Sequence, residues 1–160
     1  MKFVFLMDPL ETINIAKDTT FVFMLESARR RHQVYFLPEG GIIRQEGKTY
    51  FKVTEVTPQR KQTEPFVMKK NLILSEDEIQ AVFIRTDPPF DQPYLQNTWH
   101  LDLLSKRIFV MNSPCGIRTV NEKIWASQFT NIVPPTFIGA DKESALQFIH
   151  KYKDVIAKPT

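Results

Sequence analysis

Short apolar segments and amphipathic segments alternate along most of the 160 residues of this chain. A continuous apolar run bounded by polar residues is typical of a strand that is buried on both faces. Four segments have this character: 2–7, 33–37, 81–84 and 108–110. Helical spacing follows the first and the third of them, where Asp18 and Asp91 are suitable N-caps. Strands and helices that alternate through short links predict an α/β fold with a parallel sheet.

The apolar residues of the two predicted helices recur at intervals of three and four, so they lie on one face of each helix. A helix of a globular protein packs that face against the core. We therefore expect these side chains to pack on the sheet: Phe21, Met24, Leu25 and Ala28 in the first helix, and Leu95, Trp99 and Leu103 in the second.

Residues 41–57 alternate apolar and polar side chains around the dipeptide Glu46-Gly47. Two alternating segments joined by a glycine-containing turn indicate a β-hairpin. A polar stretch at 58–65 follows, and Phe66 to Met68 is apolar enough to pair with the hairpin. The chain is therefore predicted to append a β-hairpin to its parallel sheet.

The pattern changes after Asn112. A helical pattern runs from about Pro114 to Phe129, and the doublet Pro134-Pro135 ends it. A further unit is predicted beyond the doublet: a strand from Thr136 to Ile138, a helix from Asp141 to Tyr152 and a strand from Val155 to Lys158. One helix and two short strands are too few to bury a core alone. We therefore expect a complete domain at 1–120, a helical linker at 121–133 and the incomplete beginning of a second domain at 134–160.

The composition is that of an ordinary globular protein, with 42% hydrophobic and 24% charged residues. The net charge of +3 is small and the basic residues fall in short clusters, so we expect no nucleic-acid partner. The three histidines are far apart and show no metal-ligand spacing.

No apolar stretch is long enough to span a membrane. The apolar start at Met1–Met7 is followed at once by Asp8-Pro9, with no signal-peptide cleavage site. The only cysteine, Cys115, excludes an internal disulfide bond, and we expect it to be a small buried side chain. These features predict a cytoplasmic protein with no membrane partner.

Charged residues cluster directly after the third predicted strand, where Arg85 and Asp87 precede two prolines. Asp8 and Asn14 follow the first strand. In an open parallel sheet, ligands bind in the crevice beyond the carboxyl ends of the strands, so these four side chains are candidates for one binding site. The alternative is that Arg85 and Asp87 pair with each other and that Asp91 is only a helix cap.

Two lysines in the carboxyl-terminal part are candidates for phosphate contacts. Lys158 ends a predicted strand, and Pro159 holds it extended, so its ammonium group is expected to point into a cleft. Lysine binds phosphate as a point charge. Lys123 lies on a predicted helix, where a lysine is ordinarily solvated.

An ordered set of short motifs resembles bacterial glutathione synthetase of the ATP-grasp superfamily, over the whole chain from Met1 to Thr160. The resemblance implies a Rossmann-like pre-ATP-grasp domain, with a parallel sheet and the appended hairpin, followed by the start of an ATP-grasp domain. The motifs that carry it are Met7-Asp8-Pro9, Asn14-Ile15, Lys17-Asp18, Leu25-Glu26, Arg29-Arg30, Arg85-x-Asp87-Pro88-Pro89-Phe90-Asp91, Asn112-x-Pro114, Arg118-x-x-Asn121-Glu122-Lys123 and Lys158-Pro159.

The resemblance implies a ligase that joins γ-glutamylcysteine to glycine with ATP, through an acyl phosphate. Lys123 and Lys158 match the family's nucleotide lysines, and Arg85, Asp87, Asp8 and Asn14 fall in its peptide-substrate region. No residue of this chain is assigned as catalytic. The family's glycine-rich phosphate loop and magnesium ligands have no counterpart here, so the chain is expected to be an inactive amino-terminal fragment. The family also implies a homo-oligomer formed through the amino-terminal domain.

Two alternatives remain open from the sequence. The chain could be a stand-alone Rossmann-like module that binds a small anion or a partner protein without catalysis. It could also belong to a related ATP-grasp amino-acid ligase, because the residues that select glycine lie outside this chain. The mass of the native product separates the first alternative from the enzyme, which would be near twice the 18.7 kDa of this chain.

Overall fold

A seven-stranded sheet organises the first part of the chain in the computed structural model, which describes residues 1–158. The chain divides into two units, Met1–Ile117 and Arg118–Thr160. The strands are β1 (Lys2–Leu6), β2 (Gln33–Leu37), β3 (Ile42–Gln45), β4 (Lys48–Pro58), β5 (Phe66–Ser75), β6 (Ala81–Ile84) and β7 (Phe109–Met111). The helices are α1 (Thr19–Arg29), α2 (Gln92–Asp102), α3 (Pro114–Thr119), α4 (Glu122–Ala126) and α5 (Lys142–Tyr152), with short 3-10 helices at Leu10–Thr12 and Glu76–Glu78.

The strand order is β3-β4-β2-β1-β6-β7, and β5 pairs with β4. Strands β2, β1, β6 and β7 run parallel, with Phe5 of β1 between Phe36 and Phe83 of its neighbours. Two crossovers, β1-α1-β2 and β6-α2-β7, build this parallel part. The predicted α/β fold, its parallel sheet and the appended β3-β4 hairpin are confirmed.

The central strand β1 is buried on both faces of the sheet. Successive side chains of a strand point to opposite faces. Val4 therefore joins the cluster that includes Leu101 of α2, whereas Phe5 joins the cluster that includes Phe21 and Met24 of α1. The two helices thus cover opposite faces, and the continuous apolar character of β1 follows from its double burial.

Both predicted N-caps are confirmed. A carboxylate oxygen of Asp18 accepts a hydrogen bond from the backbone N–H of Phe21 at 2.7 Å. Asp91 accepts one from the backbone N–H of Tyr94 at 3.0 Å. Each aspartate satisfies a helical N–H group that lacks a partner within the helix, so each fixes where its helix begins.

The predicted apolar face of α2 is wrong. Trp99 is 47% exposed and Leu103 is 56% exposed. Thr98 is buried instead. Its burial is tolerated because its hydroxyl donates a hydrogen bond to the carbonyl oxygen of Leu95 at 2.7 Å. The buried residues of α2 are Asn97, Thr98 and Leu101.

Strand β5 is longer than predicted and irregular. It pairs with β4 from Phe66 to Ser75, and the register shifts at Glu55. This β-bulge lets the ammonium groups of Lys69 and Lys70 both approach the Glu55 carboxylate, at 3.3 Å and 3.8 Å. Consecutive residues of a regular strand would point to opposite faces.

The second unit is helical in its described part, residues 118–158. The predicted strands at Thr136 to Ile138 and Val155 to Lys158 are wrong, because a strand needs a pairing partner and this segment offers none. The predicted helix after Asp141 is confirmed, with the Asp141 carboxylate accepting from the backbone N–H of Ser144 at 2.8 Å. No residue of this segment is buried.

The helical pattern predicted from about Pro114 to Phe129 is divided into α3 and α4. Asn121 causes the break, because its side-chain oxygen accepts from the backbone N–H groups of Lys123 and Ile124 and so begins a new helix. Cys115 is exposed on α3, and the expectation of a buried cysteine is wrong.

The pKa of the Glu26 carboxylate, near the end of α1, is strongly lowered. Arg29 and Arg30 donate to it at 2.6 Å and 2.7 Å. These hydrogen bonds, from Arg29 first and from Arg30 next, lower the pKa of Glu26 from 4.5 to about 2. The carboxylate therefore stays charged well into the acid range.

Replacing Glu26 by glutamine is expected to remove a pH-dependent contribution to stability. A folded-state pKa below the unfolded value gives stabilisation that is complete above about pH 4.5 and is lost as the pH falls towards about 2. The difference in melting temperature between the wild type and Glu26→Gln should therefore shrink as the pH is lowered from about 4.5 to about 2. Unfolding followed by circular dichroism measures it. Glu39→Gln removes an exposed carboxylate and serves as the control. A difference that does not change with pH would contradict the assignment.

Candidate functional site

The carboxyl ends of β1 and β6 border an open pocket of about 490 Å³. This is the point at which one crossover leaves towards β2 and the other towards β7, on opposite faces of the sheet. Open α/β sheets bind ligands at such a switch point. The pocket is lined by Asp8, Thr12, Ile13, Asn14, Lys17, Asp18, Thr19, Arg85 and Asp87. We call it the crevice.

The four residues predicted to bind the substrate all line the crevice. Asp8 and Asn14 come from the loop after β1, and Arg85 and Asp87 come from the loop after β6. Residues separated by more than seventy positions meet here because β1 and β6 are parallel neighbours. Their meeting was expected because the carboxyl ends of parallel strands border one crevice, and their role in binding stays a prediction.

The guanidinium group of Arg85 is held by the start of α1. Its Nε donates to the Thr20 hydroxyl at 2.9 Å, and one terminal nitrogen donates to the Thr19 hydroxyl at 2.7 Å. The ring of Phe23 lies 5.9 Å from the guanidinium carbon, within the range of a cation–π contact. In the described part of the chain Arg85 forms no ion pair with Asp87, so the alternative that the two pair with each other is wrong.

Hydrogen bonds tie the two loops together. A carboxylate oxygen of Asp8 accepts from the backbone N–H of Asp87 at 3.1 Å. The backbone N–H of Arg85 donates to the carbonyl oxygen of Leu6 at 2.7 Å, which extends the β1-β6 ladder by one residue. The charged side chains therefore emerge from backbone that the sheet itself positions.

Sequence reasoning missed the contribution of α1. Thr19 and Thr20 orient Arg85, and Lys17 adds a second cation to the lining. A signal was available, because the Asp18 cap already placed the two threonines at the start of a helix that follows β1. A helix that follows a strand in a βαβ unit begins at the carboxyl end of the sheet, beside the crevice.

The two predicted nucleotide lysines lie in the second unit. The Lys123 side chain is 31% exposed and forms an ion pair with Glu122 at 3.1 Å. Two hydrogen bonds lower the pKa of the Glu122 carboxylate. The larger effect comes from the backbone N–H of Glu122 itself, and the smaller comes from the Lys123 side chain. Lys158 is exposed and lies in irregular backbone, so it is not positioned by the end of a strand as predicted. Pro159 lies outside the described residues.

Residues 1–158 contain no group of three histidine, cysteine, aspartate or glutamate side chains that could hold a metal ion. The same residues contain no helix that is both long and apolar enough to cross a membrane.

Comparison with known proteins gives a consistent result. The family described as "Prokaryotic glutathione synthetase, N-terminal domain" matches residues 1–118. Glutathione synthetase of Xanthomonas axonopodis pv. citri is 32% identical over 157 residues, which is 98% of this chain and 50% of that protein. That of Nitrosomonas europaea is 31% identical over 163 residues, which is 99% of this chain and 51% of that protein.

The glutathione synthetase of Mesorhizobium japonicum is 29% identical over 159 residues, which is 99% of this chain and 51% of that protein. The chain thus spans about half the length of the curated relatives that it matches. The family match covers all of the first unit, which contains the sheet and the crevice. The chain therefore belongs to the prokaryotic glutathione synthetase family and carries its N-terminal domain.

Proposed function

We propose that this chain forms the amino-terminal part of an ATP-dependent ligase that joins γ-glutamylcysteine to glycine. The observation that carries the proposal is a polar crevice at the switch point of a sheet whose residues match the family's N-terminal domain. In the proposed reaction the peptide carboxylate is phosphorylated by ATP, and the amine of glycine then displaces phosphate from the acyl phosphate. The chain's own part in that reaction is to bind and orient.

Arg85, Asp87, Asp8 and Asn14 are proposed to bind the peptide substrate. The guanidinium group of Arg85 is already oriented by two hydroxyl groups, so little freedom is lost when it binds a carboxylate. Asp8 and Asp87 are joined by a hydrogen bond that fixes the two loops relative to each other. A site on such rigid elements holds its ligand more accurately than a site on free loops.

Lys123 and Lys158 are proposed to contact the phosphates of ATP. Their charge and their match to the family's lysines support this role. An exposed ion pair contributes only about 0 to 1 kcal/mol, so two lysines alone do not make a tight nucleotide site. Magnesium is proposed to bind to the half of such an enzyme that this chain does not span, because residues 1–158 hold no suitable cluster. We also propose that the protein forms a homo-oligomer through its N-terminal domain and that it is located in the cytoplasm.

A titration of the isotope-labelled chain with γ-glutamylcysteine, followed by amide NMR, tests the proposal. We expect saturable shifts in the loops after β1 and β6, with a dissociation constant of about 1 mM. A dissociation constant of about 1 mM corresponds to about 4.1 kcal/mol, which is within the range of two charge-assisted hydrogen bonds that contribute about 1.5 to 3 kcal/mol each. Glycine, and ATP with magnesium, should not saturate over the same range.

A mixture of the chain with ATP, magnesium, γ-glutamylcysteine and glycine is expected to release no phosphate. Shifts confined to the β3-β4 hairpin, or no saturable shifts with γ-glutamylcysteine, would contradict the role of the crevice. Phosphate release by the chain alone would show that the chemistry lies in a different part of the protein from the one proposed.

A further inference from the structure

Three side chains near the start of α1 surround the guanidinium group of Arg85. Thr20 accepts from Nε at 2.9 Å, and Thr19 accepts from a terminal nitrogen at 2.7 Å. The ring of Phe23 lies 5.9 Å from the guanidinium carbon. Residues three and four positions apart are neighbours on a helix, so one short stretch of α1 supplies all three contacts. Arg85 itself comes from the loop after β6, 65 positions away from Thr20.

Thr20 differs from the residues of the crevice in its burial. It is 2% exposed, and the described residues that line the crevice include Thr19 but not Thr20. A ligand in the crevice therefore does not meet the Thr20 side chain. An effect of Thr20 on binding would have to pass through Arg85.

Two other buried hydroxyl groups show the ordinary arrangement in a helix. Ser27 of α1 and Thr98 of α2 each donate to a carbonyl oxygen of the preceding turn at 2.7 Å. Such a bond satisfies a buried hydroxyl within its own helix. Thr20 is the second residue of α1, so no helical turn precedes it. Its oxygen instead accepts a hydrogen from Arg85, which belongs to another element of the fold.

The two threonine hydroxyls occupy one part of the Arg85 guanidinium group. A guanidinium group is planar and has five N–H donors in a fixed arrangement. Nε and one terminal nitrogen donate to α1, and the other terminal nitrogen has no hydrogen-bond partner in the described part of the chain. Because the group is rigid, holding two of its nitrogens fixes the direction of the third. Thr20 thus helps to determine where the free donors point.

We infer that Thr20 is a positioning residue, which fixes the guanidinium plane of Arg85 through its buried hydroxyl and does not contact the substrate. The inference rests on the proposed function, because it concerns the arginine that is proposed to bind the peptide. A side chain that rotates freely loses that freedom on binding, and this loss weakens the complex. The Thr20 hydroxyl restricts the guanidinium group before the ligand arrives, so that less freedom is lost.

The first measurement is made without ligand, on the isotope-labelled 160-residue chain. The Nε–H of Arg85 should give a slowly exchanging NMR signal, which is assigned by its absence in Arg85→Lys. Thr20→Val keeps the shape of the side chain but removes the hydroxyl. Its Arg85 Nε–H should exchange with solvent at least about tenfold faster, which is the effect of losing one hydrogen bond to a charged group. Thr20→Ser keeps the hydroxyl and should keep the slow exchange.

The second measurement is the affinity for γ-glutamylcysteine in the amide NMR titration. Thr20→Val should bind about two- to tenfold more weakly, since immobilising one long side chain has an effect of this size. Thr20→Ser should restore the affinity. In a complete ligase, Thr20→Val should raise the Michaelis constant for the peptide and leave kcat and the Michaelis constant for ATP nearly unchanged.

Thr98→Val is the matched control, because it removes a fully buried threonine hydroxyl from α2. It should change neither the exchange at Arg85 nor the affinity. Thr20→Ala also removes the hydroxyl, without adding a methyl group to the core, and it takes the place of Thr20→Val if the valine variant does not fold. Equal losses of affinity in Thr20→Val, Thr20→Ser and Thr98→Val would indicate a general loss of structure and would overturn the inference.

The remaining outcomes separate this inference from the proposed function. Saturable binding to the wild type, with unchanged affinity in the variant that lacks the Thr20 hydroxyl, overturns the inference and leaves the proposed function standing. This holds whether or not the exchange at Arg85 becomes faster. Weaker binding without faster exchange also overturns it, because the effect would then not pass through Arg85. Failure of γ-glutamylcysteine to bind the wild type overturns both.

Discussion

Replacing Arg85 by alanine is expected to weaken the binding of γ-glutamylcysteine by about tenfold to a hundredfold. The reason is that a hydrogen bond to a charged partner contributes about 1.5 to 3 kcal/mol. The partly buried guanidinium group is fixed by Thr19 and Thr20 before the ligand arrives, so its contribution is not spent on ordering the side chain. The measurement is the dissociation constant from the NMR titration. In a complete ligase the same change should raise the Michaelis constant for the peptide and leave that for ATP nearly unchanged.

The matched control for Arg85→Ala is Arg60→Ala, which removes an exposed arginine from the loop between β4 and β5. That variant should bind γ-glutamylcysteine as the wild type does. Amide spectra of both variants check that the fold is retained. Equal loss of affinity for the peptide and for ATP in a complete ligase would indicate that Arg85 is structural and does not contact the substrate.

Replacing Phe5 by alanine is expected to lower the free energy of unfolding by about 3 to 5 kcal/mol. Phe5 is fully buried in β1, and its ring stacks on that of Phe83 with centroids 4.6 Å apart. Truncation leaves a cavity that the strands on either side, paired along both edges of β1, cannot close. Because domains are stable by only about 5 to 15 kcal/mol, this loss should be evident in a urea titration followed by circular dichroism.

Phe109→Ala is the matched control for Phe5→Ala, because it makes the same truncation on a strand. Phe109 is 60% exposed on the edge strand β7, so its removal should change the stability by no more than about 0.5 kcal/mol. Similar losses in the two variants would contradict the position of Phe5 in the core. A large loss of stability in Phe109→Ala but not in Phe5→Ala would mean that the Phe109 side chain, and not that of Phe5, lies in the core.

The sequence predicted the structure well where a residue has a specific local role, such as a helix N-cap or a turn. The N-caps Asp18 and Asp91 and the turn at Glu46-Gly47 were predicted and are confirmed, because short-range hydrogen bonds and backbone preferences determine them. Double burial likewise made β1 easy to identify. The crevice followed from these elements, since the ends of parallel strands meet at one edge of the sheet.

The sequence was a poor guide where tertiary packing decides between two patterns. Residues 69–71 of β5 are polar, so the strand was predicted to end at Met68, yet cross-strand pairing continues to Ser75. On α2 two faces have comparable spacing, and the choice depends on what the sheet presents, which is not local information. In residues 118–158 the apolar segments that look like strands lack the partner strands that would make them so.

The bulge opposite Glu55 has a consequence for solubility. In the described residues β5 pairs with β4 along one edge, and its other edge leaves backbone N–H and carbonyl groups available to a strand from another molecule. Exposed Met68 and Ile73 would favour such an addition. Lys69 and Lys70 interrupt that edge with two adjacent positive charges and an irregular backbone, as edge strands that avoid aggregation commonly do. We therefore expect the lysine doublet to disfavour polymerisation through this open edge of β5.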